Sequence, residues 1–182
     1  MIYIEYIKIV INDFKTPILY LIQAVFISAT FLVVVLFFYK LINIKINYKY
    51  INSKRKMVSL MLFISYGFVV AQTAFFSREA GSRKKISLLL FETWGDTFRM
   101  HSYFIENIIM FIPLGIFLPI LFYKMRRCQY CVFTGFLCSG TIEIAQFISQ
   151  RGFLQVDDIF TNTIGTLIGW MTWRVWRRIR KK

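Results

Sequence analysis

Two stretches of this chain, residues 17–38 and 57–76, contain no charged side chain, and they restrict its fold more than any other feature. Each is as long as the helix of about 20 residues that crosses a hydrocarbon core of about 30 Å. A third apolar stretch, residues 104–123, carries Glu106 as its single charge. A soluble domain of 182 residues could not bury a sequence that is 57% hydrophobic and contains 20 Phe. We therefore expect an integral membrane protein.

Two further segments are predicted to cross the membrane. Residues 131–148 are apolar until Glu143 and Gln146, and residues 157–173 begin with two acids. Residues 1–16 alternate charged and apolar side chains at the spacing of a helix that lies in the headgroup region. The predicted fold class is an all-α membrane protein, a bundle of about five transmembrane helices with an N-terminal interfacial helix. The expected divisions are an N-terminal interfacial segment (1–16), a first transmembrane helix with a basic cytoplasmic loop (17–56), the main transmembrane domain (57–173) and a basic cytoplasmic tail (174–182).

The uneven distribution of basic residues predicts the orientation. Of the 23 Lys and Arg residues, fifteen fall in the loop after the first span, the loop after the third span and the C-terminal tail. Cytoplasmic loops carry such an excess, so the N-terminus is predicted outside and the C-terminus in the cytoplasm. Orientation accounts for most of the net charge of +14, and no nucleic-acid partner is needed to explain it. The tail could bind anionic membrane lipids or simply anchor the last helix.

The polar residues of the last three spans all fall at the outer end of this predicted topology. Charged groups inside a bilayer cost at least about 2.5–3.5 kcal/mol each on insertion scales, so they need a structural or functional reason. The candidate ligand-binding residues at this end are Glu106, Asn107, Glu143, Gln146, Arg151, Asp157, Asp158 and Asn162. Arg78, Arg99 or Arg151 could balance the carboxylates and lower the cost of burying them.

Helical spacing predicts which residues pack between the helices. Thr161, Gly165 and Gly169 form a stripe of small residues, the pattern that lets membrane helices approach closely. Pro113 and Pro119 frame Gly115 in the third span and predict a kink there.

Structural interpretations remain open beside the functional ones. The carboxylates and amides could form only an interhelical hydrogen-bond network, and Asn107 could cap the start of the third span. His101 could relay protons or lie in a solvated loop. Trp94, Trp170, Trp173 and Trp176 are interpreted as interfacial anchors, and Cys128, Cys131 and Cys138 as reduced packing residues. We expect no metal site and no cofactor.

Three segments resemble the VanZ-like family. ENIIMFIPLGIFLP at 106–119 is similar to its acid-Asn-hydrophobic-Pro-Leu/Phe-Gly signature, and EIAQFISQRGFLQVDDIFTNTIGTLIG at 143–169 is similar to its second block. FSR at 76–78, before a polar outer loop, also fits. The resemblance covers roughly residues 60–172. Two blocks in this order and at this spacing are more specific than either block alone.

The resemblance implies a bacterial plasma-membrane protein of the cell envelope. The family's named representative is associated with low-level resistance to the lipoglycopeptide teicoplanin, without an established biochemical mechanism. The motif positions fall on Asn107, Pro113, Gly115, Glu143, Gln146, Arg151, Asp158, Asn162, Thr163 and Gly165. Glu106 stands where the family often has an Asp, and SLLLFETW before the third span lacks the Pro that the family often shows there.

Three functions follow as hypotheses. The first is a non-enzymatic envelope protein whose outer polar site binds an amphiphilic antibiotic or the head of a lipid-linked wall precursor. The second is a membrane-embedded enzyme acting on such a precursor or a phospholipid, with Glu143 and Asp158 as the candidate acid and base. The third is a small transporter or transporter subunit. The sequence leaves the oligomeric state and any catalysed reaction open.

Overall fold

A computed structural model describes residues 11, 15–42, 54–81, 86–87, 90–91, 94 and 97–180, with residues 31–42, 54–55 and 98 described by their backbone alone. Most of the predicted interfacial helix lies outside these residues. The helices are α1 (Lys15–Ile42), α2 (Lys54–Ala71), α3 (Phe98–Leu121), α4 (Cys128–Ile148) and α5 (Val156–Ile179). A π-helical turn, Gln72–Phe76, continues α2, and a 3-10 turn, Lys124–Arg126, joins α3 to α4. Two short strands, β1 (Ile86–Ser87) and β2 (Leu154–Gln155), pair in parallel.

The fold is the all-α membrane type that the sequence predicts. Among the described residues, the segments Lys56–Phe76, Arg99–Leu121 and Cys128–Ile148 are helical, long enough and apolar enough to cross a membrane. The described side chains of α1 belong to a shorter apolar segment, Lys15–Thr30, and α5 does not reach the same apolarity. A count of five spans therefore remains a prediction.

The third predicted span begins earlier than expected. Thr97 is its N-cap, with a side chain that accepts a hydrogen bond from the Met100 N–H at 3.4 Å, so α3 begins at Phe98. The interpretation of Asn107 as a helix cap is therefore wrong, since that residue lies in the third turn. The last helix is longer than predicted. It runs to Ile179 because no Gly or Pro interrupts its basic final turns, where Arg177 and Arg178 suit the helix macrodipole.

Parallel helices α3 and α5 form the most extensive contact of the bundle. Three glycines make it possible, because a Cβ at Gly165 would overlap the Ile108 carbonyl oxygen, one at Gly169 that of Ile112 and one at Gly115 that of Thr166. Close backbone approach of this kind is typical of small residues at membrane helix interfaces.

Helix α4 runs antiparallel to α5, with residues meeting in a regular register. From one end to the other, Glu143 interacts with Asp158, Asn162 hydrogen-bonds Ser139, and Thr166 contacts Gly135. Along the two helices, the facing pairs change from charged to neutral polar to small residues. The polar pairs of α4 and α5 therefore lie at one end of the bundle.

The apolar core lies toward the opposite end. It consists of Phe111, Leu114, Leu118, Cys131, Trp170 and Trp173. Trp170 and Trp173 are each 6% exposed, which differs from the interpretation of both as interfacial anchors. The Trp170 indole N–H donates to the Arg126 carbonyl at 3.2 Å. Pro119 has no N–H to offer the Gly115 carbonyl, and the Cys131 thiol approaches that oxygen at 3.9 Å instead.

Candidate functional site

The polar end of the bundle is where α2 ends, α3 begins, α4 ends and α5 begins. Helix α4 ends there in a hydrogen-bond pattern of the Schellman type. The Gln150 N–H donates to Phe147 O at 3.1 Å and the Arg151 N–H donates to Gln146 O at 2.9 Å. Gln150 adopts the left-handed conformation this ending requires, with φ of 56°. The motif reverses the chain, so Gln146 and Arg151 both reach the segment that follows α2.

These two side chains satisfy main-chain carbonyls at the end of α2. A helix end leaves carbonyls without intrahelical partners. The Gln146 amide donates to Ala74 O at 2.6 Å. One guanidinium nitrogen of Arg151 donates to Phe75 O at 3.1 Å and to Arg78 O at 3.0 Å. The same guanidinium lies 5.1 Å from the centre of the Phe75 ring. Gln146 and Arg151 therefore fasten the π-helical turn to α4.

Two predicted site carboxylates accept hydrogen bonds from the main chain. Glu143, 3% exposed, accepts from the Gln155 N–H at 3.0 Å, which holds β2 against α4. Asp157, 1% exposed, accepts from the Phe91 N–H. Phe91 has a φ of 66°, a strained conformation for a residue with a bulky side chain. The carboxylate of Asp157 therefore holds Phe91 in this conformation.

A further group, the carboxylate cluster, consists of Arg78, Asn107, Glu143 and Asp158. Asn107 hydrogen-bonds the Asp158 side chain. The positive charge of Arg78 acts on both Glu143 and Asp158, and the two acids also act on each other. Residues from α3, α4, α5 and the segment after α2 thus converge, and the charge of one arginine acts on two acids.

One helical turn deeper lies a neutral polar pair. The Asn162 amide nitrogen donates to the Ser139 hydroxyl at 2.8 Å. Asn162 is 2% exposed, and its carbonyl oxygen has no hydrogen-bond partner among the described residues. Buried polar atoms are rarely left without a partner, so each such atom calls for an explanation.

The other predicted residues lie around this centre. Glu106 is half-buried, and because consecutive helical residues point about 100° apart, it leaves α3 in a different direction from Asn107. Thr161 donates back to Asp157 O at 2.9 Å within α5. Arg99 donates to the Tyr103 hydroxyl at 2.9 Å.

Sequence reasoning left Ser139 out of the site and included Arg78 only as a possible counterion. The signal for Ser139 is its position one turn before Glu143 on α4, on the face that meets α5. The signal for Arg78 is the FSR motif at the end of the second span. Within the described ranges, no three His, Cys, Asp or Glu side chains gather closely enough to hold a metal ion.

Comparison with known proteins identifies the family. Protein VanZ of Enterococcus faecium is 37% identical over 65 residues, covering 36% of this chain and 40% of that protein. The matched region therefore spans less than half of that relative. No solved structure matches the chain. The family model described as VanZ/LLP1 matches residues 25–177. Because that match includes the whole polar end and most of the chain, this membrane protein belongs to the VanZ/LLP1 family.

Proposed function

We propose that this protein acts in the bacterial cell envelope as a binding protein. Its polar end faces outward, binds a cationic or amphiphilic ligand, and lowers susceptibility to teicoplanin. The observation that carries the proposal is the carboxylate cluster, in which the positive charge of Arg78 acts on both Glu143 and Asp158. A ligand ammonium group would supply the second positive charge.

The surroundings of the cluster favour a ligand that also donates hydrogen bonds. The Asn162 carbonyl oxygen, one turn below, is a buried acceptor without a partner among the described residues. A charged donor aimed at buried acceptors forms stronger hydrogen bonds than a neutral one. The amine of an amphiphilic antibiotic, or of the head of a wall precursor, has this chemistry.

The braces around the cluster support a binding role as well. Gln146, Arg151 and Asp157 each bind main-chain groups of the segment after α2. Rigid support of this kind holds binding groups in place before a ligand arrives, which reduces the entropy lost on binding. These three residues are accordingly assigned to positioning rather than to ligand contact.

The test is the susceptibility of a sensitive Gram-positive host to teicoplanin and vancomycin. The host would express tagged wild type, Glu143→Gln, Asp158→Asn or Glu79→Gln at matched levels. Glu79→Gln is the matched control, because it removes an exposed carboxylate near the polar end and outside the cluster. We expect wild type and Glu79→Gln to raise the inhibitory concentration of teicoplanin and both cluster variants to lose the effect.

Two outcomes would contradict the proposal. Full protection by Glu143→Gln and Asp158→Asn at normal protein levels would leave the cluster a structural role alone. The absence of any teicoplanin shift with wild type would remove the resistance function.

An enzymatic function remains a second candidate because Glu143 and Asp158 lie close enough to interact electrostatically. Two neighbouring carboxylates can divide into acid and base. Such an enzyme would need an arginine, Arg151 or Arg99, to hold the pyrophosphate of its substrate. Arg151 instead donates to main-chain carbonyls, which counts against this candidate. Turnover of a lipid-linked substrate by purified protein, lost in Glu143→Gln, would favour the enzyme.

A further inference from the structure

The basic end of the bundle, where α3 ends, α4 begins and α5 ends, contains a groove of about 490 Å³. Five arginines line it, contributed by the turn before α4 and by the last turns of α5: Arg126, Arg127, Arg174, Arg177 and Arg178. The buried Trp170 and Trp173 also line it. The groove lies at the opposite end of the helices from the carboxylate cluster.

No carboxylate balances these arginines among the described residues. The chain has no acid between residues 107 and 142 and none after Asp158. The described acids, Glu79 among them, belong to the polar half of the bundle. A concentration of positive charge without local counterions binds anions.

Aromatic rings hold two of the guanidinium groups in place. Arg174 lies 5.0 Å from the ring centre of Trp170, and Arg177 lies 5.4 Å from that of Trp173. A guanidinium held over a ring by cation–π attraction can still donate its N–H groups to phosphate oxygens. The Trp170 indole is in turn fixed by its hydrogen bond to the Arg126 carbonyl.

We propose that this groove binds a phosphate-bearing anion, and that the phosphate belongs to the headgroup of an anionic phospholipid. The groove lies at the ends of α3 and α4, both long and apolar enough to cross a membrane, and so at headgroup depth. Beside it, α5 exposes Val175, Trp176 and Ile179, an apolar surface suited to acyl chains. Clusters of basic residues directly next to a membrane helix recognise anionic lipids. The proposal is independent of the function assigned to the polar end.

The test uses the full-length protein purified in a neutral detergent. Binding of short-chain phosphatidylglycerol, phosphatidylcholine of the same chain length, and sodium pyrophosphate is measured by native mass spectrometry and by the shift in the thermal unfolding midpoint. The groove variant is Arg127→Gln/Arg174→Gln. Its matched control is Lys124→Gln/Arg180→Gln, which removes the same charge from the same end at residues outside the groove.

We expect wild type to prefer phosphatidylglycerol over phosphatidylcholine. The groove variant should lose about 30-fold in affinity for phosphatidylglycerol, as for two basic contacts, and the control much less. Pyrophosphate binding that replaces lipid binding and is lost in the groove variant would support the phosphate site but assign it to a soluble ligand. Equal losses in both variants, or no preference for phosphatidylglycerol when pyrophosphate does not bind, would overturn the proposal. Both variants are compared with wild type by size-exclusion chromatography, and elution at the same volume is the criterion that they remain folded.

Discussion

Replacing Gly165 by Ala should destabilise the bundle, although the same replacement at Gly67 or Gly140 should not. The added Cβ would overlap the Ile108 carbonyl oxygen and would lie 3.1 Å from the Phe111 Cβ. The first obstacle is helix backbone, so it cannot move aside as a flexible side chain would. Restoring ordinary contact separates α3 from α5 by about 1 Å, since carbon atoms pack best at roughly 3.5–4 Å.

Two opposing terms set the magnitude. Overpacking of a close contact costs about 1–3 kcal/mol, whereas Ala is favoured over Gly in a helix by about 1 kcal/mol. Because the overlap is with helix backbone, the first term lies in the upper part of its range, about 2–3 kcal/mol, and the net loss for Gly165→Ala is about 1–2 kcal/mol. Gly140 in α4 and Gly67 in α2 have no atom within 4 Å of an added Cβ. Only the second term acts there, so Gly140→Ala and Gly67→Ala should gain stability.

The assay is thermal unfolding of the purified protein in one detergent. At about 2–4 °C per kcal/mol for a chain of this size, Gly165→Ala should lower the midpoint by about 2–8 °C, and the two controls should raise it by about 2–4 °C. A neutral Gly165→Ala would refute the close approach of α3 and α5. A loss of equal size in Gly140→Ala would show that the effect belongs to helical glycine in general.

Three further predictions concern the polar end and the orientation. Gln146→Leu should lower stability by about 1–3 kcal/mol, because it leaves the buried Ala74 carbonyl unpaired. Thr141→Val, which alters an exposed hydroxyl of the same helix, should change little in the same unfolding assay. Gln150→Gly should raise the unfolding midpoint by relieving a left-handed conformation, a gain of roughly 1 kcal/mol; a lowered midpoint would contradict this. In a Cys131→Ser/Cys138→Ser background, Cys128 should react in intact cells only with membrane-permeant thiol reagents. Labelling by an impermeant reagent would reverse the proposed orientation.

Long apolar runs are sufficient to predict the helices because a bilayer requires about 20 consecutive apolar residues in each helix that crosses it. The same approach did not predict where α3 begins or where α5 ends, because the residues there are not apolar. The start of α3 depends on Thr97 as N-cap, and Arg99 and His101, which precede residue 104, are too polar to be part of an apolar run. The helical continuation of α5 through Ile179 is charged, so a search for apolar residues stopped short of it.

The polar end was predictable as a location but not as an arrangement. Once orientation and helix directions are known, residues at the starts and ends of successive helices must meet, which is how Glu143 and Asp158 were placed together. The partners of Gln146, Arg151 and Asp157 are main-chain groups of Ala74, Phe75, Arg78 and Phe91. Every residue offers such groups, so the sequence contains no pattern that identifies which of them will accept or donate.

The polar residues of this end therefore have two different roles, according to whether they bind main-chain groups or other side chains. Gln146, Arg151 and Asp157 satisfy main-chain groups that would otherwise be unpaired at a helix end or in a strained segment, and a structural purpose accounts for them. Asn107 hydrogen-bonds the Asp158 side chain, and the Asn162 carbonyl oxygen has no hydrogen-bond partner among the described residues. Folding alone does not require a second acid beside Glu143, because an apolar side chain would fill that space at lower cost. Function is therefore best sought where the polar residues exceed what the main chain needs, at Asp158 and Asn162 beside Glu143.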